Sequence, residues 1–241
     1  MKQSFCIKLA VALVAVALSI NGLQAQMHWQ ARVGMGISDL MGSNRMNTRF
    51  AYRFGVEVDI PIGSQGWGVQ PGLYYAHKGA EFLGIYEKNH TYVGIFDNRM
   101  NYAELPVYAI YRWNMWQDWS LKFKAGGYVA YGLNGSAHVN VPGTEYQNLN
   151  VVGDLFKDGC DYGLAGGQLG SDKADYFYSP PYKRIDAGAA AGIDLQWRQF
   201  IVGIDAQYGF APVVDRLYLF GFFQDPTLRN FTAHVSVGYQ F

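Results

Sequence analysis

The sequence predicts an all-β protein: an eight-stranded antiparallel up-and-down transmembrane β-barrel with long extracellular loops. Three observations predict it. Apolar and polar residues alternate over eight segments, glycines and charges share one face of these segments, and all six tryptophans lie at one end. Because successive side chains of a strand point to opposite sides of the sheet, this alternation gives each strand one apolar and one polar face.

The clearest alternation lies in residues 184–210. Every second position holds isoleucine, alanine, leucine, valine or an aromatic residue. The positions between them hold mainly aspartate, glutamine and glycine. Only Arg198 and Gln199 separate the two halves of this stretch. A two-residue connection is typical of a tight antiparallel hairpin, so these residues are predicted to form two neighbouring strands.

The same alternation predicts further strands at residues 29–38, 50–60, 67–78, 101–113, 119–133 and 230–241. Long loops are predicted at residues 39–47, 79–99, 134–183 and 211–228, with short turns between the other strands. The flanks of the 79–99 loop are expected to extend its strands. The third loop should also continue its strand, because Ala137, Val139 and Val141 still alternate. A meander of this kind closes on itself to remove its edges.

The charged face is predicted to point into the barrel. It carries most of the strand glycines, and the interior of an eight-stranded barrel is only just wide enough for side chains. Opposite charges balance on this face, as buried ions require. We therefore expect a structural charge network in the lumen, formed by Arg32, Arg53, Glu57, Asp59, Glu104, Arg112, Lys122, Lys124, Asp186, Asp194, Asp205 and His234. Asp205 should have a cationic partner, with an arginine from a facing strand as the candidate.

The apolar face is predicted to contact lipid, whereas a soluble barrel would turn it inward. Between its ends it has no charged residue, and aromatic residues concentrate at both ends, like the girdles of membrane barrels. At the short-turn end the membrane-interface ring should comprise Trp29, Trp67, Trp113, Trp116, Trp119, Trp197 and Phe241. The opposite ring should comprise Tyr52, Tyr75, Tyr131, Tyr208 and Phe210. Short turns of such barrels face the periplasm, which places the long loops outside.

Residues 1–25 have the pattern of a secretory signal peptide. Lys2 and Lys8 precede an apolar run over residues 9–20, and the small residue Ala25 follows. The run is about half of the roughly 20 residues that a membrane-spanning helix needs. We expect cleavage after Ala25, a β-barrel domain over residues 26–241, and location in the outer membrane of a Gram-negative cell.

Composition argues against several kinds of site, and no cofactor, metal or catalytic site is predicted. The formal net charge is zero, which does not suggest nucleic acid binding. Cys160 would be the only cysteine after signal cleavage, which excludes a disulfide framework and a cysteine-built zinc site. Asp205, His234 and Ser236 could be drawn as a triad, but a polar lumen contains such residues without catalysis. The loop aspartates lack EF-hand spacing and are expected to be solvated: Asp154, Asp158, Asp161, Asp172 and Asp175.

Three segments resemble a known family. Residues 102–113, Tyr-Ala-Glu-Leu-Pro-Val-Tyr-Ala-Ile-Tyr-Arg-Trp, resemble the signature of the PorT-like outer-membrane β-barrel family. Residues 184–210 are similar to its glycine-rich penultimate hairpin, and residues 237–241 to the carboxy-terminal assembly signal of outer-membrane proteins. The resemblance implies a small barrel of the OmpA/OmpX type, inserted by the barrel-assembly machinery through Phe241. One branch of the family serves a secretion system.

The sequence leaves three functions open. The first is a non-enzymatic outer-membrane barrel with a plugged polar lumen and outer loops that bind or shield. The second is an accessory subunit of an outer-membrane secretion or assembly complex, whose other subunits would be its partners. The third is a lipid-modifying enzyme. Such an enzyme would need polar groups on the lipid face, where only His77 lies, near the outer rim.

Overall fold

The computed structural model describes residues 27–42, 46–88, 90–140, 149–152, 154–158, 160–163, 176–179, 181–214, 217–219, 222–224 and 228–241. The expected signal peptide, residues 1–25, lies outside these residues. Regular structure in the described residues consists of strands. None of these residues belongs to a helix that is long and apolar enough to cross a membrane.

The strands follow one another along the whole described chain. In chain order they are β1 (His28–Met41), β2 (Met46–Asn47), β3 (Arg49–Pro61), β4 (Trp67–Lys88), β5 (His90–Trp116), β6 (Trp119–Asn140), β7 (Leu149–Val152), β8 (Cys160–Gly163), β9 (Tyr176–Ser179), β10 (Ile185–Trp197), β11 (Phe200–Gly209), β12 (Leu217–Leu219), β13 (Phe222–Gln224) and β14 (Arg229–Gln240).

The long strands close into a ring. They pair antiparallel in the order β1–β3–β4–β5–β6–β10–β11–β14, and β14 pairs back to β1. The pairing of β6 with β10 bridges the longest connection, from Ile185 opposite Tyr131 to Trp197 opposite Trp119. This closed ladder confirms the predicted eight-stranded up-and-down barrel, in which neighbouring strands satisfy each other's backbone groups.

The prediction of a loop over residues 79–99 is wrong. β4 and β5 remain paired as far as Lys88 opposite His90, so they form one long hairpin that continues beyond the rest of the barrel wall. Past the rim, the outward face of the hairpin no longer has to be apolar for contact with hydrocarbon, so the alternation weakens. A difference in polarity between the faces is then no longer required.

The predicted loops at residues 134–183 and 211–228 contain short strands. β6 continues to Asn140, as the alternation at Ala137 and Val139 predicts, while Val141 lies outside the described residues. β7 pairs with β6, and a separate four-stranded sheet has the order β13–β12–β9–β8. The strands of this sheet have three or four residues, which is too short for an alternating pattern to reveal them.

The turns at one end of the barrel are short. In the turn between β10 and β11, Arg198 has a φ of 53°, a left-handed conformation of the kind that two-residue hairpins use. The Arg198 backbone N–H donates to the Asp118 carbonyl at 3.0 Å, and its guanidinium lies 3.1 Å from the Asp118 carboxylate. These contacts join two neighbouring turns at the same end.

Inward and outward positions follow the predicted alternation. In β11, Asp205 is 1% exposed, whereas Val202 is 53% and Ile204 is 63% exposed. In β14, His234 and Ser236 are likewise buried, whereas Val235 and Val237 are exposed. The barrel thus has a polar interior and a broad apolar exterior. Exposed apolar area on this scale is typical of a surface that contacts lipid.

We expect the purified protein to migrate differently on denaturing gels before and after boiling. The closed ladder has no open barrel edge at which detergent can begin to separate the strands, so unfolding should require heat. The measurement compares unheated and boiled samples and records circular dichroism in detergent. Identical migration of both samples, together with a random-coil spectrum, would contradict the closed barrel.

Candidate functional site: the charged barrel interior

The interior of the barrel is densely charged and shielded from solvent. Every side chain predicted for the lumen network points inward, and all of them except Arg112 are at most 3% exposed as residues. Arg112 lies near the short turns, contacts Asp59, and keeps 23% of its side chain exposed. Lys78 is fully buried among the same groups. Such burial is costly unless each ion is paired or hydrogen-bonded.

In the half of the interior nearer the loops, the ions centre on Asp205 and Glu104. Arg53 Nη2 lies 2.6 Å and Lys124 Nζ 2.7 Å from the Asp205 carboxylate. Lys78 Nζ lies 2.6 Å from Glu104 Oε2. Because Arg53 comes from β3 and Asp205 from β11, the pair spans the lumen. Asp205 therefore has the arginine partner from a facing strand that the sequence predicts.

In the half nearer the short turns, Arg32 holds the network together. Its Nη1 and Nη2 atoms each donate to one Asp194 oxygen at 2.8 Å, and Nη1 also lies 3.1 Å from Glu57. A two-pronged arginine–carboxylate contact is the strongest and most directional form of this interaction. Closer to the short turns, Lys122 Nζ lies 2.9 Å from Asp59 Oδ2.

Asp186 receives hydrogen bonds from uncharged donors. Tyr128 Oη donates to its Oδ2 atom at 3.0 Å, and Asn230 Nδ2 donates to the same atom at 2.8 Å. Hydroxyl and amide donors can thus stabilise a buried carboxylate. Counting charges in a sequence cannot identify such partners.

Tyrosines and glutamines fill the space between the ions. Three buried cations lie over tyrosine rings: Arg53 over Tyr74 at 4.7 Å, Lys124 over Tyr108 at 5.2 Å, and Lys78 over Tyr128 at 4.7 Å. These are favourable cation–π distances. The predicted network omits four buried glutamines, Gln30, Gln70, Gln196 and Gln207. These glutamines occupy inward-facing positions of the alternating pattern, and this pattern could have placed them in the predicted network.

An apolar cluster, the apolar cap, lies at the loop end of the interior. It comprises the buried residues Leu40, Met100, Leu155, Phe156, Tyr182, Val213, Val214 and Leu228. The Phe156 ring meets the Tyr102 ring edge-on, with centroids 5.6 Å apart. The Leu155 N–H donates to the Gly135 carbonyl at 3.0 Å, which fixes the loop on β6. The sequence did not reveal the cap because most of its side chains come from connections without periodicity, while Leu40 and Met100 come from β1 and β5.

Gly203 makes room for the Arg32–Asp194 pair. A Cβ atom at this position would overlap Asp194 Oδ1 and Arg32 Nη2. We expect Gly203→Ala to lower the free energy of unfolding by about 1–3 kcal/mol, the usual cost of overpacking. Gly127→Ala is the control, since the nearest atom to its Cβ would be one carbonyl oxygen at 3.2 Å. Equal stability of both variants in urea titrations would contradict this packing.

The residues that could be drawn as a triad do not form one. Asp205 is occupied by Arg53 and Lys124, and the Ser236 hydroxyl contacts Asp205 at 3.4 Å and accepts from Arg32. Neither ring nitrogen of His234 has a hydrogen-bond partner among the described residues. A relay needs histidine between the carboxylate and the hydroxyl, and this arrangement does not provide that.

The structure describes the side chains of two of the predicted loop aspartates, Asp154 and Asp158. Among the described residues no group of His, Cys, Asp or Glu has an arrangement that could hold a metal ion. Asp154 instead pairs with Arg184 at 3.0 Å and accepts from the Phe156 backbone N–H at 3.0 Å. Asp172 and Asp175 lie outside the described residues.

Aromatic side chains surround both ends of the apolar exterior. Those at the short-turn end are exposed, from 39% at Trp119 to 74% at Trp116. All of the predicted positions belong to this set: Trp29, Trp67, Trp113, Trp116, Trp119, Trp197 and Phe241. Stacked pairs join neighbouring strands, as between Trp119 and Trp197, whose ring centroids are 6.1 Å apart.

The sequence matches the family model for an outer membrane protein beta-barrel domain over residues 24–215. The chain belongs to this family. Its membership and the observed barrel place it in the cell outer membrane, with the apolar exterior in the bilayer. A comparison with curated proteins gives no match.

Three solved structures resemble the chain weakly. Neisserial surface protein A has 8% identity and a TM-score of 0.42, covering 88% of this chain and 97% of its own. Ail, the attachment invasion locus protein of Yersinia pestis, has 13% identity and a TM-score of 0.37, covering 91% and 100%. The translocator domain of the autotransporter NalP from Neisseria meningitidis has 9% identity and a TM-score of 0.36, covering 100% and 97%.

Proposed function

We propose that this protein is a non-enzymatic outer-membrane barrel whose lumen is plugged and whose outer loops bind a ligand or shield the cell surface. The observation that carries this proposal is the filled interior. Salt-bridged side chains cross the lumen from β3 to β11, and the apolar cap lies above them. A barrel of this size has little interior space beyond its own side chains, so we assign the function to the loops.

We expect the purified monomer to form no stable large-conductance openings in planar bilayers. Water and ions would have to displace Arg53, Asp205 and Lys124, whose contacts are 2.6 and 2.7 Å long. Leu155→Ala combined with Phe156→Ala should also remain closed, because the ions beneath the cap still fill the lumen. Steady openings of porin size in the unmodified protein would overturn the plugged interior.

The loop function can be tested on cells that produce a shortened protein. Residues 141–180 would be replaced by a short turn, and the gel shift would verify that the barrel still forms. Loss of binding to glycan and protein arrays, or greater access of antibodies to the lipid surface, is the expected result. Unchanged binding and access would contradict the proposal.

Orientation and processing form part of the proposal. The signal peptide is cleaved after Ala25, and the short turns face the periplasm. The two aromatic rings lie at the two membrane interfaces, and the barrel-assembly machinery recognises Phe241. External protease should therefore cut the loops of intact cells and spare the turn at Asp118. Cleavage at Asp118 by external protease would show that the short turns face outside and would contradict the proposed orientation.

We also propose that the chain is a PorT-like member of its family, on the strength of residues 102–113. Two residues of that signature have structural roles here. Glu104 pairs with Lys78 inside the barrel, and Pro106 lies opposite Tyr128 in the β5–β6 ladder. Both residues lie within the barrel wall, so the signature by itself gives no support to a secretion complex. Co-purification of secretion subunits from native membranes would favour an accessory subunit instead.

The enzymatic alternative has little support from the lipid-facing side. His77 contacts Arg49 at 2.8 Å and Asn101 at 2.6 Å through its two ring nitrogens. Neither partner is a hydroxyl or thiol nucleophile. Release of fatty acid or headgroup from phospholipid or lipid A by the purified barrel would contradict the non-enzymatic proposal.

A further inference from the structure

A polar cluster lies on the outward side of the barrel, directly beyond the ring of tyrosines. This outer-rim cluster comprises Arg49, His77, Asp97, Arg99, Asn101 and Asn134, on strands β3 to β6. The His77 ring stacks on Tyr52 with centroids 4.8 Å apart, so the cluster begins where the aromatic ring ends. Arg99 and Asp97 follow along β5 towards the loops.

Hydrogen bonds connect the cluster from strand to strand. Arg49 Nη1 contacts His77 Nε2 at 2.8 Å, His77 Nδ1 contacts Asn101 Oδ1 at 2.6 Å, and Asn101 Nδ2 donates to Asn134 Oδ1 at 2.5 Å. Four neighbouring strands therefore present one continuous band of hydrogen-bonded polar groups at the height of the rim. Arg49 also contacts Asp97.

The two arginines share one carboxylate within the cluster. Arg99 Nη2 lies 2.6 Å from Asp97 Oδ2, and its Nε atom donates to the same oxygen at 2.7 Å. This contact holds the guanidinium in place while 42% of the Arg99 side chain stays exposed. The next acid, Glu81, lies opposite Asp97, farther from the tyrosines than either Arg99 or His77. The cationic groups therefore lie between the aromatic ring and the acids.

That position coincides with the headgroups of the leaflet that meets this rim. An interfacial aromatic ring marks the border of the hydrocarbon layer, and phosphate groups lie just beyond it. A guanidinium presents a planar set of donors that matches a phosphate group, and a preoriented one loses less entropy on binding. With the loops outside, the adjacent leaflet is the outer one, which contains phosphorylated glycolipid.

We propose that the outer-rim cluster binds a phosphate group of lipid A. Arg99, whose side chain is 42% exposed, is the cationic ligand, and Arg49, whose side chain is 11% exposed, shares Asp97 with it from behind. The proposal rests on the orientation given under the proposed function, because only that orientation brings this rim to the outer leaflet. Asp97 fixes both guanidinium groups, and the histidine–asparagine chain supports them along the barrel wall. A lipid in this place would also cover the exposed side of Arg99.

The test measures binding of lipid A to the folded barrel in detergent by thermophoresis. Bisphosphorylated lipid A, dephosphorylated lipid A and inorganic phosphate are titrated separately. The intact barrel should bind the bisphosphorylated lipid more tightly than the dephosphorylated one. Arg99→Gln should weaken this binding about fivefold, as expected for one basic residue beside an anionic lipid surface. Arg198→Gln, which removes an aspartate-paired arginine at the other end, should leave the affinity unchanged.

Three results would overturn the proposal: equal binding of both lipids, no loss of affinity in Arg99→Gln, or an equal affinity for inorganic phosphate alone. The last result would indicate a site for free anions. The heat shift on gels verifies that each variant is folded. Binding in detergent does not depend on orientation in the cell, so protease access can fail while lipid binding succeeds.

Discussion

Asp205→Ala is expected to lower the free energy of unfolding by about 3–5 kcal/mol, the range seen when one partner of a buried ion pair is removed. The Asp205 carboxylate accepts Arg53 at 2.6 Å and Lys124 at 2.7 Å in a fully enclosed site. Its removal leaves these two cations without their shared anion. Arg53 retains Glu104 at 3.9 Å and Lys124 retains Asp194 at 3.1 Å, so part of the network survives.

Asp205→Asn should be milder, because an amide oxygen still accepts one hydrogen bond from the cations. Asp118→Ala is the matched control. It removes an aspartate that also pairs with an arginine, but 46% of the Asp118 side chain is exposed, so the expected cost is at most about 1 kcal/mol. The measurement is reversible urea unfolding in lipid vesicles. Equal stability of Asp205→Ala and Asp118→Ala would contradict the expectation that the ion pairs of Asp205 stabilise the barrel.

The sequence predicts the barrel well because a membrane barrel imposes a two-sided environment on each strand. Val202, Ile204 and Asp205 alternate between lipid and lumen, and a one-residue error would invert all of them. That constraint ends at the rim. Beyond Lys78 the β4–β5 hairpin no longer borders the hydrocarbon layer, so the sequence there carries no comparable signal, and the loop prediction failed.

The interior was predicted only in part, for a different physical reason. The alternation places Arg53 and Asp205 in the lumen. Whether they pair depends on strand register and on which strands lie across the lumen from each other. Neither can be derived from alternation. The apolar cap combines Leu155 and Tyr182, from the connection between β6 and β10, with Val213, from the connection between β11 and β14. Such contacts follow from closure of the whole barrel.

Ile204→Arg is expected to cost about 2–4 kcal/mol, the value for an arginine near the midplane of the bilayer. Ile204 lies in the middle of β11, opposite Ile193 on one side and Val235 on the other, and 63% of it is exposed. A charge there would meet hydrocarbon, with no counter-ion on the apolar wall. Val202→Arg should cost less, because Val202 lies closer to the tryptophan ring.

Cysteine labelling separates this expectation from general destabilisation. A membrane-confined thiol reagent should label Ile204→Cys and spare Asp205→Cys, because neighbouring residues of a strand face opposite sides. Both variants would be studied in vesicles after the gel shift has shown that they are folded. Labelling at position 205 without labelling at 204 would mean that the charged side of β11 faces lipid. The barrel would then be inside out, since the Arg53–Asp205 pair cannot lie in the lumen and on the lipid face at once.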